Sequence, residues 1–323
     1  MPIALNVFQE QKDLKEKKRY NEGYRLVGNH SAVKICAYCK KSIRGEDVCY
    51  KNTFYGIESW RCVQMSPTFF CDHRCVFCWR DIDYVWPKWQ GPVDDPKEIV
   101  DGAIKAHVEL LQGFKGNSKA VEEKLKEMGK PLHFAISLTG EPTMYPKLPE
   151  MIDYIKEKGM TAFLVTNGTI PEMVERLIEH QPTQLYISVY GTNKEMHQRT
   201  ANPITKDAWE RLQKSLSMMH KFNRNVMRLT LVRGFNFMDP EGYAKLAEKY
   251  NPMFIECKGY SFVGHSQERL EVSNMPYHHE ILDFAKKIEE NSSYKIIDDK
   301  EESKVALLVK KDFEGRKMEF EGL

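Results

Sequence analysis

The stretch of sequence that decides the fold is a tight group of three cysteines in the run Cys71-Asp72-His73-Arg74-Cys75-Val76-Phe77-Cys78. Thiolates are the usual ligands of iron–sulfur clusters, and short spacings between cysteines are typical of cluster sites. Three thiolates within eight residues can bind three corners of one iron–sulfur cube and leave the fourth iron open for chemistry. The competing interpretation is a zinc site or three unrelated thiols, but zinc favours C-x2-C pairs and closes with four ligands. We therefore predict an iron–sulfur cluster at Cys71, Cys75 and Cys78.

The composition indicates a globular protein that does metal or redox chemistry. The chain has 323 residues and a formal net charge of +2, which suits one large α/β domain with extensions or two smaller domains. No apolar run approaches the ~20 residues that span a bilayer, and the N-terminus turns polar after residue 5, so we expect no membrane contact and a cytoplasmic location. Seven of the eight cysteines lie between Cys36 and Cys78, which favours metal binding over disulfides.

Strands and helices alternate along most of the chain. Apolar runs bounded by turn residues predict six strands, at 67–71, 133–138, 161–166, 184–190, 226–232 and 254–260. Helical patterns separate them, a further helix is predicted at 278–290, and a hairpin at 294–298 and 305–310. Alternation at this period implies parallel βαβ units and predicts an α/β fold, a partial (β/α)6 barrel. Ligands of such folds gather at the carboxyl ends of the strands, where the cysteine run lies.

Four further cysteines, Cys36, Cys39, Cys49 and Cys62, lie in a segment at 31–66 that reads as rich in loops and in need of a metal for order. Two interpretations compete. A structural zinc would use all four thiolates, whereas a second iron–sulfur cluster would use three and leave an open iron. The spacing of the cysteines does not decide between them.

The run C-x3-C-x2-C with an aromatic residue before the last cysteine resembles the signature of the radical S-adenosylmethionine superfamily. The resemblance implies S-adenosylmethionine as cofactor, with Phe77 near its adenine. Thr139-Gly140-Glu141-Pro142 follows the second strand and resembles the superfamily's GGEP turn, whose backbone meets the cofactor's amino group. Polar residues at later strand ends are candidate contacts to the ribose or carboxylate, namely Asn167, Ser188, Arg228 and Thr230.

An inward-facing arginine is costly unless it meets a carboxylate or phosphate. Arg228 and Thr230 share one face of the fifth strand, and Glu256, Lys258 and Tyr260 share one face of the sixth. A structural ion pair between these two strands is therefore the competing explanation for Arg228. The roles of Glu256, Lys258 and His265 stay unassigned.

The even spacing C-x12-C-x12-C of Cys36, Cys49 and Cys62, followed by the first run and by Cys78-Trp79-Arg80-Asp81, resembles the 4-demethylwyosine synthases of wybutosine biosynthesis. Members of that family join N1-methylguanosine at position 37 of phenylalanine tRNA to two carbons of pyruvate. The resemblance implies two [4Fe-4S] clusters, the second held by Cys36, Cys49 and Cys62, with Cys39 a spare thiol. It also implies that Lys51 holds pyruvate as a Schiff base.

The same resemblance implies a monomer that binds the anticodon loop of the tRNA and receives electrons from a separate protein. It predicts an N-terminal extension at 1–66, a radical SAM partial barrel at 67–275 and a C-terminal extension at 276–323. Basic stretches at 12–19 and 115–130 are candidate RNA contacts, although charge runs with interleaved Glu are usually solvated helix faces. The rival functions are another radical SAM enzyme with an auxiliary electron-transfer cluster, which would use Cys39 as a ligand, and a zinc-bearing RNA-binding protein.

Overall fold

A computed structural model describes residues 22–82 and 85–320. Its strands form one ten-stranded sheet in the order β1-β2-β3-β4-β5-β6-β7-β8-β10-β9. The strands are β1 (Arg25–Val27), β2 (Ser31–Val33), β3 (Cys62–Ser66), β4 (His133–Ile136), β5 (Thr161–Thr166), β6 (Gln184–Val189), β7 (Asn225–Leu231), β8 (Phe254–Gly259), β9 (Lys295–Lys300) and β10 (Val305–Val309). The six strands from β3 to β8 are parallel to one another, whereas β2 and β10 flank them antiparallel. The predicted partial (β/α)6 barrel is thereby confirmed, and the sheet does not close on itself.

The first parallel strand lies earlier than predicted. The strand expected at 67–71 is wrong, since β3 ends at Ser66 and the following residues form a turn. Pro67 has no backbone N–H to donate to the sheet, and the Ser66 hydroxyl donates to the carbonyl of Thr68 at 2.9 Å, which folds the chain back on itself. β3 therefore lies within the segment predicted as the N-terminal extension, and Cys62 is its first residue.

The helices, like the strands, follow the predicted alternation from residue 96 onward. In chain order the helices are α1 (Ala37–Ile43), α2 (Tyr50–Tyr55), α3 (Pro96–Leu111), α4 (Glu122–Glu127), α5 (Leu148–Glu157), α6 (Pro171–Arg176), α7 (Lys194–Ala201), α8 (Ala208–Ser217), α9 (Pro240–Tyr250) and α10 (His278–Glu290). Two of them begin at side-chain caps in which Asp95 and Asn193 accept a backbone N–H, as such residues commonly do. The C-terminal hairpin is also confirmed, because β9 and β10 pair antiparallel and β10 joins the sheet beside β8.

The cysteine-rich segment at 31–66 is more regular than predicted. It contains α1 and α2, which begin directly after Cys36 and Cys49, so a cysteine occupies each N-cap position. Cysteine is not a residue that marks a helix start, and both helices are under eight residues long. Such short helices depend on tertiary packing rather than on propensity, which is why sequence periodicity did not reveal them.

Two apolar cores lie on opposite faces of the sheet. The larger core packs one face of the strands, with Val63, Ile136 and Leu229 among them, against the outer helices. The smaller core fills the amino-terminal mouth of the barrel. Its members come from α2, from the inward faces of β5 to β8 and from β10, namely Tyr50, Phe54, Tyr55, Ile57, Phe163, Tyr186, Val226, Phe254, Val305, Leu307 and Val309. We call this cluster the barrel plug.

Only one of the two basic stretches lies in the described part of the chain, and two of its lysines are engaged within the protein. The stretch at 12–19 lies outside the described residues. In the stretch at 115–130, Lys126 pairs with Glu122 at 2.8 Å on the exposed face of α4, and Lys124 donates to the carbonyl of Ser42. Within residues 22–82 and 85–320, no helix is long and apolar enough to cross a membrane.

Candidate active site

The Cys71–Cys78 run follows the carboxyl end of β3 and is held by its neighbours. The N–H of Arg74 donates to the carbonyl of Asn202 at 3.0 Å, the N–H of Val76 to Thr200 at 3.1 Å, and the N–H of Cys78 to Cys75 at 3.1 Å. These bonds fasten the run to the end of α7. The thiols of this run therefore lie at the edge where ligands of such sheets bind.

The first thiol group, Cys71, Cys75 and Cys78, lies in surroundings that suit a buried cluster. Burial raises the pKa of the Cys71 thiol to about 12, and the neighbouring Arg80 guanidinium lowers it. Arg80 is itself only 8% exposed and donates to the carbonyls of Asp81 and His73. Metals bind thiolates rather than thiols, so cluster binding must offset the raised pKa of the Cys71 thiol, and the fixed Arg80 cation lowers that cost.

The spacing of the thiols fits a cube better than a single ion. Zinc bound at about 2.3 Å holds its thiolates about 3.8 Å apart, whereas a cube spreads them over separate irons. Among the described residues, the one group of three His, Cys, Asp or Glu ligand atoms within 4.8 Å of each other is Cys71, Asp72 and His73. Asp72 already accepts from Asn167 at 2.6 Å and from Thr169 at 2.5 Å, and His73 also contacts the Asn167 amide.

A pocket of about 800 Å³, partly open to solvent, adjoins the first thiol group. Its walls come from the carboxyl ends of β4 to β7 and from the cysteine run. All eight residues predicted to bind the cofactor line it, namely Phe77, Thr139, Gly140, Glu141, Asn167, Ser188, Arg228 and Thr230. The structure thus brings together side chains up to 153 residues apart in sequence, from Phe77 to Thr230, in one pocket beside three thiols.

The Thr139–Glu141 turn is built against the start of the cysteine run. Gly140 has φ +65°, and a Cβ there would lie 2.3 Å from the carbonyl oxygen of Thr68 and 2.7 Å from that of Phe70. The Glu141 N–H donates to the same Phe70 carbonyl at 2.6 Å. Only glycine allows this approach of two backbone segments.

The Glu141 side chain joins this turn to the end of β5. Its carboxylate accepts from both the N–H and the hydroxyl of Thr143, from the Thr166 hydroxyl at 2.6 Å and from the Asn167 N–H at 2.8 Å. Burial, and then the charge of Asp72, raises the pKa of Glu141 to about 7. Glu141 therefore shapes the pocket wall through its side chain, in addition to any contact that its backbone makes.

The sequence analysis missed two pocket residues. Tyr190 lies with its ring 5.1 Å from that of Phe77, and Arg80 lies beside the thiols. Tyr186 and Ser188 lie on one face of β6, and Tyr190, which directly follows the strand, continues the same alternation. The pattern that selected Ser188 could therefore also have selected Tyr190. Arg80 belongs to the Cys78-Trp79-Arg80-Asp81 run that carries the family resemblance, but nothing in the sequence indicated a role in the pocket.

The second thiol group, Cys36, Cys49 and Cys62, is assembled from the N-caps of α1 and α2 and from the first residue of β3. Burial, and then the charge of Cys49, raises the pKa of Cys36 to about 11. Burial also raises the pKa of Cys62, as do the charges of Cys36 and Cys49. Bound iron would balance the charge of these thiolates and so offset the raised pKa values.

Cys39 does not complete a tetrahedron with the second group. Its side chain is fully buried in an apolar cluster with Ile35, Ile43, Leu111 and Met128, and its sulfur lies 4.0 Å from the Trp60 carbonyl. The four sulfurs, all within the described part of the chain, form no compact group of the size that one zinc ion requires. The geometry therefore favours three ligands over four.

Lys51 lies beside the second thiol group and points into the barrel. It is in the first turn of α2, only 8% exposed, with Nζ 4.6 Å from the ring centre of Tyr186 and 5.4 Å from that of Phe163. Burial lowers the pKa of Lys51, while the neighbouring charges of Cys49 and Glu256 raise it. A desolvated lysine with a lowered pKa is the form of amine that attacks a carbonyl carbon.

The two thiol groups lie at opposite ends of β3. The strand starts at Cys62 and ends at Ser66, so at about 3.3 Å per residue its ends are about 13 Å apart. The inward face of β6 links the two ends, since Tyr186 contacts Lys51 whereas Ser188 and Tyr190 line the pocket.

The competing explanation for Arg228, a structural ion pair between its strand and that of Glu256, is not supported among the described residues. The two residues are register partners on β7 and β8, but within the described chain no ion pair of 4.0 Å or less joins them. Glu256 instead accepts the hydroxyls of Tyr50 and Tyr55, and the buried Nε of Arg228 has no hydrogen-bond partner among the described residues. Lys258 donates to the Ser303 carbonyl at 2.6 Å, and His265 contacts Glu268 on the outer surface.

Comparison with known proteins gives two matches to family models. Residues 65–247 match the radical SAM superfamily, and residues 249–310 match a family described as wyosine base formation. Two archaeal relatives are described as S-adenosyl-L-methionine-dependent tRNA 4-demethylwyosine synthases. The one from Pyrococcus abyssi is 44% identical over 90% of this chain and 86% of its own length, and the one from Pyrococcus horikoshii is 43% identical over 93% and 89%.

Solved structures agree with the sequence relatives. A structure of TYW1 with a lysine-pyruvate adduct bound is 36% identical and has a TM-score of 0.85 over 95% of this chain and 99% of that one. A crystal structure of archaeal TYW1 is 33% identical and has a TM-score of 0.76 over 93% and 96% of the two chains.

Proposed function

Because this chain belongs to the tRNA 4-demethylwyosine synthase family of radical SAM enzymes, we propose that it joins N1-methylguanosine-37 of phenylalanine tRNA to two carbons of pyruvate. The enzyme uses S-adenosylmethionine and a [4Fe-4S] cluster, as its superfamily does. The observation that carries the finer proposal is the position of Lys51, a buried lysine between a second thiol group and the barrel interior.

The first thiol group and the 800 Å³ pocket would hold the cluster and S-adenosylmethionine. When bound, the reduced cluster supplies the electron that cleaves S-adenosylmethionine to a carbon radical. Phe77 would pack on the adenine, the Thr139–Glu141 turn would meet the amino group, and Asn167, Ser188, Arg228 and Thr230 would contact the ribose and carboxylate. Burial of the thiols and of Arg80 keeps water away from this end of the pocket.

The second thiol group would hold a second [4Fe-4S] cluster through Cys36, Cys49 and Cys62, with Cys39 unbound. Lys51 would bind pyruvate there: its neutral amine adds to the carbonyl carbon, and loss of water forms the imine. Burial of Lys51 favours the neutral amine, whereas the ring faces of Tyr186 and Phe163 attract the ammonium form and hold the side chain in place. A TYW1 structure with a lysine-pyruvate adduct supports a lysine in this role.

The tRNA would enter from the carboxyl ends of the strands, where the pocket opens. A base in an anticodon loop is unpaired, so it is moved into a pocket at less unstacking cost than a base in a duplex. We further propose that the enzyme works as a monomer in the cytoplasm and that a separate protein supplies the electrons.

Trapping with borohydride tests the role of Lys51. Borohydride reduces an imine to a stable amine, so protein incubated with pyruvate and borohydride should carry the adduct on the peptide that contains Lys51, as read by mass spectrometry. Lys51→Ala should abolish the adduct and product formation with N1-methylguanosine-containing tRNA. Lys258 is the matched alternative, a partly buried lysine on β8 whose pKa is lowered to about 8 by desolvation, and Lys258→Ala should retain the adduct. Adduct retained in Lys51→Ala and lost in Lys258→Ala would contradict the assignment.

A further inference from the structure

Resting on the proposed function, we infer that Glu256 is a positioning residue for Lys51, because its carboxylate fastens both ends of α2 to β8 inside the barrel. Glu256 lies on the inward face of β8 and is fully buried. Lys51 is carried by α2, and its amine must reach both the second thiol group and the barrel interior. The position of α2 therefore decides where the imine forms.

The contacts of Glu256 reach the first and the last residue of that helix. The Tyr50 hydroxyl donates to Oε2 at 3.2 Å, and the Tyr55 hydroxyl donates to Oε1 at 2.8 Å. Tyr50 and Tyr55 are themselves 6% and 0% exposed, so neither hydroxyl has water as an alternative partner. One carboxylate thus uses each of its oxygens to hold one end of the same helix.

A helix of this kind needs such an anchor. α2 has six residues, and the side chain of its N-cap residue, Cys49, makes no capping hydrogen bond. A helix so short is not stable by itself and takes its orientation from tertiary contacts. From the outer side, the N–H of Met318 and the guanidinium of Arg316 donate to the carbonyls of Tyr55 and Phe54, so they hold only the carboxyl end. At the amino end, the Cys49 N–H donates to the Ser59 hydroxyl at 3.0 Å, and the Tyr50–Glu256 hydrogen bond joins this end to β8.

The charge of Glu256 adds to the hydrogen bonds. Three cationic side chains belong to the elements around this carboxylate: Arg228 is its register partner on β7, Lys258 lies two residues along β8, and Lys51 lies on α2. A buried hydrogen-bonded carboxylate near several cations offsets their mutual repulsion, which would otherwise move Lys51 away from Arg228. The same residue therefore sets both the location and the electrostatic surroundings of the amine.

Glu256→Gln keeps the shape of the side chain but removes its charge and one acceptor oxygen. The measured quantity is the pyruvate concentration that gives half-maximal borohydride trapping at Lys51 in the reconstituted full-length protein. A displacement of the amine by ~1 Å should raise this concentration by about tenfold to a hundredfold. Formation of 5′-deoxyadenosine from S-adenosylmethionine without pyruvate should stay within about twofold of the unmutated protein, because Glu256 does not line the cofactor pocket.

Tyr294→Phe is the matched control. It also removes one buried tyrosine hydroxyl, which donates to the Pro252 carbonyl at 2.5 Å in the outer core, and it should leave pyruvate trapping unchanged. An unchanged pyruvate concentration in Glu256→Gln, or an equal change in Tyr294→Phe, would overturn the inference. If Glu256→Gln does not fold, the test uses Tyr50→Phe and Tyr55→Phe, since each removes one of the two hydrogen bonds to Glu256. A raised half-maximal pyruvate concentration in these variants supports the inference, and an unchanged one overturns it. Absence of any adduct in the unmutated protein would instead contradict the proposed function.

Discussion

Substituting Gly140 by alanine should disable the first site while leaving the fold in place. The backbone at this position has φ +65°, which costs an L-residue roughly 1–2 kcal/mol. The new methyl would also lie 2.3 Å from the Thr68 carbonyl oxygen and 2.7 Å from that of Phe70. Both neighbours are backbone atoms, so no side chain can move away to make room.

The magnitude follows from these contacts. Ordinary contact between such atoms begins near 3.4 Å, so the start of the cysteine run must move by about 1 Å. Overpacking of this kind costs about 1–3 kcal/mol, which together with the backbone term gives a loss of roughly 2–5 kcal/mol in folding free energy. A shift of ~1 Å between Cys71 and the turn that meets S-adenosylmethionine should lower the rate of its cleavage by about a hundredfold.

Gly159→Ala separates the cost of the backbone conformation from the cost of the steric overlap. Gly159 has φ +73°, but a Cβ there would meet nothing within 4 Å, so this variant carries the backbone cost alone. The assay is formation of 5′-deoxyadenosine by anaerobically reconstituted protein under dithionite, with iron content measured on the same samples. Gly159→Ala should match the unmutated protein in activity. Equal activity of Gly140→Ala and Gly159→Ala would refute the argument from packing.

Two further predictions concern metal content and acid stability. Alanine at Cys36, Cys49 or Cys62 should reduce the iron content from about eight to about four atoms per chain, whereas Cys39→Ala should retain about eight; loss of iron on changing Cys39 would show that four cysteines are used. His107 is fully buried on α3, neither ring nitrogen has a hydrogen-bond partner in the described part of the chain, and burial lowers its pKa from 6.5 to about 4. The unfolded chain therefore binds this proton more readily, and stability should fall by roughly 1 kcal/mol per unit as the pH falls from about 6.5 to about 4. His107→Leu should remove that part of the slope in urea unfolding midpoints measured across this range, and an unchanged slope would show that His107 is not its source.

The sequence predicted which residues would meet beside the first thiol group, because parallel strands obey a simple rule. In a parallel sheet the carboxyl ends of neighbouring strands lie side by side, so polar residues that follow successive strands must meet. The rule placed Gly140, Asn167 and Ser188 together, although the local sequence around each residue only weakly indicates a binding role. The alternation of side chains within a strand likewise brought Arg228 and Thr230 to the pocket.

The second site could not be predicted in the same way. Cys36 and Cys49 cap two short helices whose existence depends on packing, and Cys62 begins a strand that the sequence analysis placed five residues later. Lys51 was selected by resemblance alone, since nothing in its local sequence separates it from a surface lysine. Cys39 is three residues from Cys36 but turns into an apolar cluster, which spacing cannot show.

The sequence by itself determined the local chemistry of this protein: which thiols can bind iron, which strands alternate with helices, and which polar residues end those strands. Only the tertiary structure decided that the two thiol groups lie at opposite ends of β3, with Lys51 beside one of them and the pocket beside the other. It alone also paired Glu256 with Tyr50 and Tyr55 rather than with Arg228. The physical reason is that spacing and periodicity are properties of neighbours along the chain, whereas these arrangements join residues about 200 positions apart and arise only when the barrel plug is packed.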